Sequence, residues 1–521
     1  MGDHLGVTDE DGVRPELANL RDRQRMLTDA ARPEAVAKIH GRGRRTIREN
    51  LDDLFDAGTL HEWGGLTVAA QRGRRALDDL IASTPADGVI TGVGTVAGRR
   101  VAVVGYDFMV LAGTQGAIGH KKTDRFLEVV RRERLPLVLF AEGGGGRPGD
   151  VDVRTVGGLD VPTFGRFAAL SGVVPRIGIA SGRCFAGNAS LYGLCDVTIA
   201  TPEASIGMAG PAMIEGGGLG VVDADDVGPQ EMHVKIGTVD VSAADDADAV
   251  EIAKRALTAF VPELPKWSEA DQSLLRDVVP ENRRRAYEVR KALTLLADEG
   301  SVLELRPRYA RGMVTAFARI EGRAIGVIAN NPMHLAGAIT SDCADKATRF
   351  LQLCDAFDLP VLSLCDTPGM MVGPAAEQTG LVRHTSRLFT VGATMTVPMV
   401  MVILRKGYGL GAMAMAGGDF HATLATLAWP TGEVGGMGLE GAVRLAMRKE
   451  LAAIEDDDER QRTYDALVAA AYEQGSALSA ATYDEIDDVI DPVSTRERVA
   501  ALLGAWQPPP RDGRRRVVDT W

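Results

Sequence analysis

Residues 111–127 read LAGTQGAIGHKKTDRFL, and residues 335–351 read LAGAITSDCADKATRFL. The two stretches begin and end alike and stand 224 positions apart. The register holds on either side: Gly98-Arg99 falls on Gly322-Arg323, Leu135-Pro136 on Leu359-Pro360, and Gly145 and Gly149 on Gly369 and Gly373. After a slip of one residue, Val174-Pro175 meets Val397-Pro398 and Asp196 meets Asp419. A register sustained over about fifty residues marks an internal duplication. The chain is two copies of one domain, joined within residues 262–285, where Pro262, Pro265 and Pro280 interrupt the pattern.

Each copy repeats one order of elements. Apolar, β-branched runs at 101–104 and 325–329 predict buried strands. Helical spacing follows at 122–132 and 345–356, then a second strand at 137–140 and 361–365. Glycine-rich loops come next, at 143–149 and 368–373, then strands at 176–180 and 399–404 and a further glycine turn. Strands alternating with helices predict an α/β fold with largely parallel strands. Ligands bind such sheets at the carboxyl ends of the strands. The predicted boundaries are a helical segment over 1–44, two domains over 45–270 and 271–505, and a mobile tail over 506–521 containing Pro508-Pro509-Pro510.

Composition narrows the function. The 521 residues are 45% hydrophobic and 25% charged, as in an ordinary globular protein, and carry a net charge of −13. That balance argues against a nucleic-acid binder, because phosphate contacts need Lys and Arg. The five cysteines form no C-x-x-C pair, which excludes the common zinc and thioredoxin spacings and predicts reduced thiols in a cytoplasm. The polar start predicts no signal peptide. The longest uncharged stretch, 388–404, holds Pro398 and is too short to span a membrane, so no membrane association is expected.

Glycine is in excess, at 60 residues. A phosphate cradle is one use of glycine loops, but Gly143-Gly144-Gly145-Gly146-Arg147 ends in no Gly-Lys-Ser/Thr, and His120 interrupts the loosely P-loop-like run from Gly113 to Lys121. Tight helix–strand packing is a second. An oxyanion hole is the third: two backbone N–H groups at a helix start, with small residues letting a ligand reach them. Cys184-Phe185-Ala186-Gly187-Asn188 and Gly407-Tyr408-Gly409-Leu410-Gly411 occupy matching positions in the two copies, predicting two such holes.

The carboxyl half carries Ala329-Asn330-Asn331-Pro332, Asp366-Thr367-Pro368-Gly369, Arg405-Lys406, Tyr408-Gly409, Ala428-Trp429-Pro430-Thr431 and Glu440-Gly441-Ala442. On these motifs the chain resembles the carboxyltransferase (β) subunits of biotin-dependent acyl-CoA carboxylases, over about residues 45–505. The resemblance implies two tandem crotonase-like (spiral ββα) domains, acyl-CoA on the amino side and biotin on the carboxyl side. The amino half departs from the family's common pattern: Glu142-Gly143-Gly144-Gly145-Gly146-Arg147 stands for Asp-Ser-Gly-Gly-Ala-Arg, and Cys184-Phe185-Ala186-Gly187-Asn188 for Cys-Ala-Gly-Gly-Ala. That version is similar to the carboxyltransferase region of long single-chain acyl-CoA carboxylases.

The reaction so implied moves CO2 from carboxybiotin to the α carbon of an acyl-CoA through an enolate, in fatty acid metabolism. By position, the amides of Ala186 and Gly187 would hold the thioester oxygen, and those of Leu410 and Gly411 the biotin ureido oxygen. Gly145, Gly146, Arg147, Gly210, Tyr408 and Gly369 would line the substrate site. Met413 stands where relatives tune acyl-chain length, and an apolar Met there favours propionyl or longer chains. Lys346 and Arg383 are candidates for CoA phosphates, whereas His120, His334, His384 and Cys184 read as structural. Ala412-Met413-Ala414-Met415 lacks the lysine of a biotin attachment site, so biotin on a carrier protein and a biotin carboxylase are expected from other chains. The family further implies a homo- or hetero-hexamer, a trimer of dimers with the active site at the dimer interface. The competing readings are an acyl-CoA decarboxylase and a non-catalytic scaffold subunit of a mixed hexamer.

Overall fold

The computed structural model describes residues 13–153, 157–508 and 516–521. The polar start at 1–10, the prolines at 509 and 510, and the arginines at 514 and 515 lie outside the described residues. The chain divides between Leu257 and Thr258, ahead of the proline-interrupted join, into two compact units.

The amino unit is built on a seven-stranded sheet. Strand β1 (His61–Trp63) pairs antiparallel with β2 (Val89–Val96), and β2 antiparallel with β3 (Arg99–Tyr106). From β3 the pairing turns parallel, through β4 (Leu137–Phe140), β5 (Arg176–Ala180) and onward to Val197–Ala200 and Val241–Ser242. The carboxyl unit repeats the sheet: Leu303–Leu305, Met313–Ile320 and Arg323–Asn330 are antiparallel, then Val361–Thr367, Met399–Tyr408, Ala425–Ala428 and Asp488–Val489 follow in parallel. The mixed sheet keeps the predicted parallel portion and adds an antiparallel hairpin at its start. One divergence touches the site. The single strand Met399–Tyr408 has two counterparts in the amino unit, β5 and the separate Arg183–Phe185, split at Ser181-Gly182.

Helices Ala117–Glu133 and Ser341–Ala356 realise the quoted repeat. The second is packed tightly: a Cβ at Gly326 would stand 2.2 Å from Cys354 Sγ, so glycine there lets helix and sheet close together. Its Thr340 side chain caps the first turn by accepting the Cys343 N–H. The first helix has no side-chain cap from its own N-cap residue, Gly116. Instead Asp150 accepts the Ala117 N–H at 2.8 Å and Asp87 accepts the Gly119 N–H at 2.6 Å. Two carboxylates therefore occupy the helix start that a P-loop would offer to phosphate.

All five cysteines are buried and free. Among the described residues, no helix is long and apolar enough to cross a membrane. The tail does not match its expected mobility over 516–521. Arg516 donates to the Asp355 carbonyl at 2.8 Å, Val518 is buried, and the Trp521 ring packs 5.5 Å from that of Tyr309.

Candidate functional site: paired backbone amides

In the amino unit the chain leaves Arg183–Phe185 and enters helix Gly187–Gly193 through Ala186, at φ 50 and ψ −118. That conformation is strained for alanine. The Ala186 N–H itself is committed: it donates to the Gly207 carbonyl at 2.9 Å, extending the pairing of Arg183–Phe185 with Ser205–Gly207. The expected donor pair is thus corrected by one residue. Gly187 and Asn188, at the start of the helix, have N–H groups with no partner among the described residues.

The glycine loop closes on this corner. Gly145 has φ +85, and a Cβ there would stand 2.6 Å from the Ala186 Cβ. Asn188, fully buried, accepts the Gly145 N–H at 3.0 Å through Oδ1 and donates to the Gly113 carbonyl through Nδ2. Gln115 forms the other wall. Its backbone N–H donates to the Gly145 carbonyl, its own carbonyl accepts the Arg147 N–H, and its carboxamide lies against Gly187 beside the Phe164 ring. Gly146 is exposed, with open space where a Cβ would stand, and Gly210 packs on the Phe185 ring.

The carboxyl unit repeats the arrangement. Gly409 takes φ +56 at the entry to helix Gly409–Met415, and the Leu410 and Gly411 N–H groups have no partner among the described residues. A Cβ at Gly411 would meet Gly369 Cα at 2.7 Å, so only glycine admits this approach of loop to helix. Gly369, at φ +120, accepts the Ile339 N–H at 3.1 Å. Behind the loop, Asp366 is fully buried and takes Arg405 at 3.1 Å and Lys406 at 2.7 Å. Met413 lines a cavity of about 850 Å³ in this unit with Phe420, Val434, Leu439 and Ala480.

Several side chains expected at substrate are engaged elsewhere. The Arg147 side chain is 5% exposed; its guanidinium pairs with Asp87 at 2.5 Å and donates to the Thr114 carbonyl at 2.9 Å. Burial pushes the Asp87 carboxyl up and the Arg147 charge draws it down, so the pair belongs together. Tyr408 donates its hydroxyl to Glu433 at 2.8 Å, and the residue is buried. Lys346 is corrected too: its Nζ donates to the carbonyls of Arg306, Tyr309 and Met313 at 2.8, 3.0 and 2.7 Å, which uses all three of its protons. Burial draws it down to about 7. Lys122, its duplicate, donates to the Ala86 and Val89 carbonyls. Arg383 stays exposed on helix Leu381–Thr394.

The structural readings of the remaining groups agree with their surroundings. Cys184 is fully buried, and desolvation raises its thiol well above the ordinary range. His384 bonds Asp345 at 2.7 Å, and His120 bonds the Thr163 hydroxyl at 2.9 Å. Asn188 and Gln115 are the buried polar side chains at this corner that sequence reasoning left aside. Asn188 follows Gly187 directly, a position that could have signalled it; nothing local marks Gln115.

Comparison with known proteins fits this geometry. Residues 38–511 match the carboxyl transferase domain. The chain is 35% identical to the propionyl-CoA carboxylase beta chain of Saccharopolyspora erythraea, over 94% of this chain and 92% of that one. It superposes with a TM-score of 0.89 on a single-chain, multi-domain long-chain acyl-CoA carboxylase, at 55% identity, covering 94% of this chain and 49% of that one. The chain therefore spans about half of that longer protein. A hexameric transcarboxylase 12S structure with methylmalonyl-coenzyme A bound matches at a TM-score of 0.84 and 31% identity, over 98% of this chain and 99% of that one. Duplicated sheets, paired open amides and these likenesses converge: the chain belongs to the carboxyl transferase domain family and is built as a carboxyltransferase.

Proposed function

We propose that the chain is the carboxyltransferase component of an acyl-CoA carboxylase acting on long-chain acyl-CoA, with biotin delivered on a separate carrier and assembly as a hexamer in the cytoplasm. The observation that carries this reading is the pair of open amide sets, Gly187 with Asn188 and Leu410 with Gly411, one at a helix start in each duplicated unit.

The thioester oxygen accepts from Gly187 and Asn188. Negative charge grows on that oxygen as the α proton leaves, and fixed N–H dipoles at a helix start stabilise it without reorganising. Leu410 and Gly411 suit a ureido oxygen, and a side chain at position 411 would push the Gly369 loop off the helix start. When bound there, carboxybiotin supplies the CO2. The likeness to the long-chain enzyme supports a long acyl chain.

The test is carboxyl transfer from a biotinylated carrier charged by a biotin carboxylase, over acetyl-, propionyl-, octanoyl- and palmitoyl-CoA. The expected result is the highest kcat/KM with the longer chains. A clear acetyl-CoA preference overturns the chain-length reading, and transfer to none of them overturns the function.

A further inference from the structure

We propose that the Gln115 carboxamide oxygen is a recognition acceptor beside the amino-unit hole, taking the cysteamine amide N–H of a CoA thioester. This rests on the acyl-CoA reading above.

The oxygen stands at the hole. A Cβ on Gly187 would lie 2.0 Å from Gln115 Oε1, so the oxygen sits flush against the residue whose N–H is open. The far end of the carboxamide is tied to Tyr106. Its Nε2 donates to the Tyr106 hydroxyl at 3.1 Å, which leaves Oε1 as the end turned to Gly187. The main chain at Gln115 is clamped on both sides, donating to Gly145 at 2.7 Å and accepting from Arg147 at 2.9 Å.

The acceptor is unfilled. Gln115 is 6% exposed, and no described residue donates to Oε1. A site that presents such an acceptor rejects ligands that cannot supply a donor to it. The duplication supplies an internal control. Ile339, the counterpart of Gln115, makes the same two backbone bonds, to Gly369 at 3.1 Å and from Met371 at 2.8 Å, with a side chain that accepts nothing. The two holes share their amides and differ in polarity at this wall.

The ligand must therefore offer a donor close to a carbonyl held at Gly187. An acyl chain and a thioester have none. The first donor along a CoA substrate is the cysteamine amide N–H, two methylenes from the sulfur.

The experiment compares an acyl-CoA with its analogue in which that amide nitrogen is replaced by an ester oxygen, in the wild type and in Gln115→Leu. The wild type is expected to favour the amide by at least tenfold in kcat/KM. Gln115→Leu is expected to lose tenfold with the amide and to stay within about twofold with the ester, bringing the ratio near one. Tyr106→Phe, which frees the carboxamide to turn, is expected to narrow the ratio part way. A wild type that uses both substrates equally overturns the proposal whatever the variants do. An unchanged ratio in Gln115→Leu, or an equal loss with both substrates, overturns it as well and leaves the carboxyltransferase reading standing. Transfer to neither substrate removes both.

Discussion

The Gln115 N–H donates to the Gly145 carbonyl at 2.7 Å, and the duplicated bond, from Ile339 to Gly369, measures 3.1 Å. In each unit this bond fixes a glycine at positive φ against the corner where a strand becomes a helix. Gly145→Ala brings a Cβ to 2.6 Å from that of Ala186 and adds left-handed strain of about 1–2 kcal/mol. A fall of at least tenfold in kcat/KM is expected, with folding retained. Gly146→Ala is the control: its Cβ meets open space, and activity should hold within about twofold.

Deleting a donor without disturbing its helix separates chemistry from packing. Proline is tolerated in the first turn of a helix, where the N–H has no helical partner. Leu410→Pro removes one of the two carboxyl-unit donors in this way. Loss of about 2.7–4 kcal/mol of transition-state stabilisation is expected, or 10²–10³-fold in kcat. A kcat near the wild-type value, with the melting temperature unchanged, would falsify the hole at Leu410 and Gly411.

Arg147→Ala should act on stability rather than on substrate. It strands Asp87, whose side chain is fully buried, and breaking such a pair costs about 3–5 kcal/mol. Denaturant titration of the amino unit should register that loss. Restoring a neutral pair with Arg147→Met and Asp87→Asn should recover part of it. An Arg147→Ala protein of native stability with a raised KM for acyl-CoA would return Arg147 to the substrate site.

The melting temperature should fall with acid below about pH 6.5. Burial lowers the His120 imidazole, which bonds Thr163 and, through it, Asp124. Between its folded value and 6.5 the unfolded chain binds the extra proton, so stability rises with pH across that window. His233, also lowered by burial, adds to the slope. His120→Gln should flatten part of the pH dependence between pH 5 and 7 in thermal melts. An identical slope in the variant would place the effect elsewhere.

The order of elements along the chain was legible because β-branched runs and glycine loops recur at one spacing, and the helices at 117–133 and 341–356 follow from the same repeat. The open amides of the amino unit were legible only to within a residue. An amide is common to every residue except proline, so sequence marks the turn, at Ala186 and Gly187, while pairing to Gly207 decides which N–H stays open. Arg147 and Lys346 were misplaced for one reason. Charge is visible in a sequence and burial is not: both cations face carbonyls or a carboxylate inside the fold. Gln115 needed three distant segments, Tyr106, Gly145 and Gly187, before its carboxamide had a meaning.

Leu410 leaves 61% of its surface in solvent, while its main-chain N–H has no partner among the described residues. Codon drift at such a position repaints the exterior and spares the electrostatics. A catalytic triad copied by gene duplication decays as soon as one member mutates. A pair of main-chain amides is inherited intact by both copies, which leaves their walls, glutamine on one side and isoleucine on the other, free to specialise for different ligands.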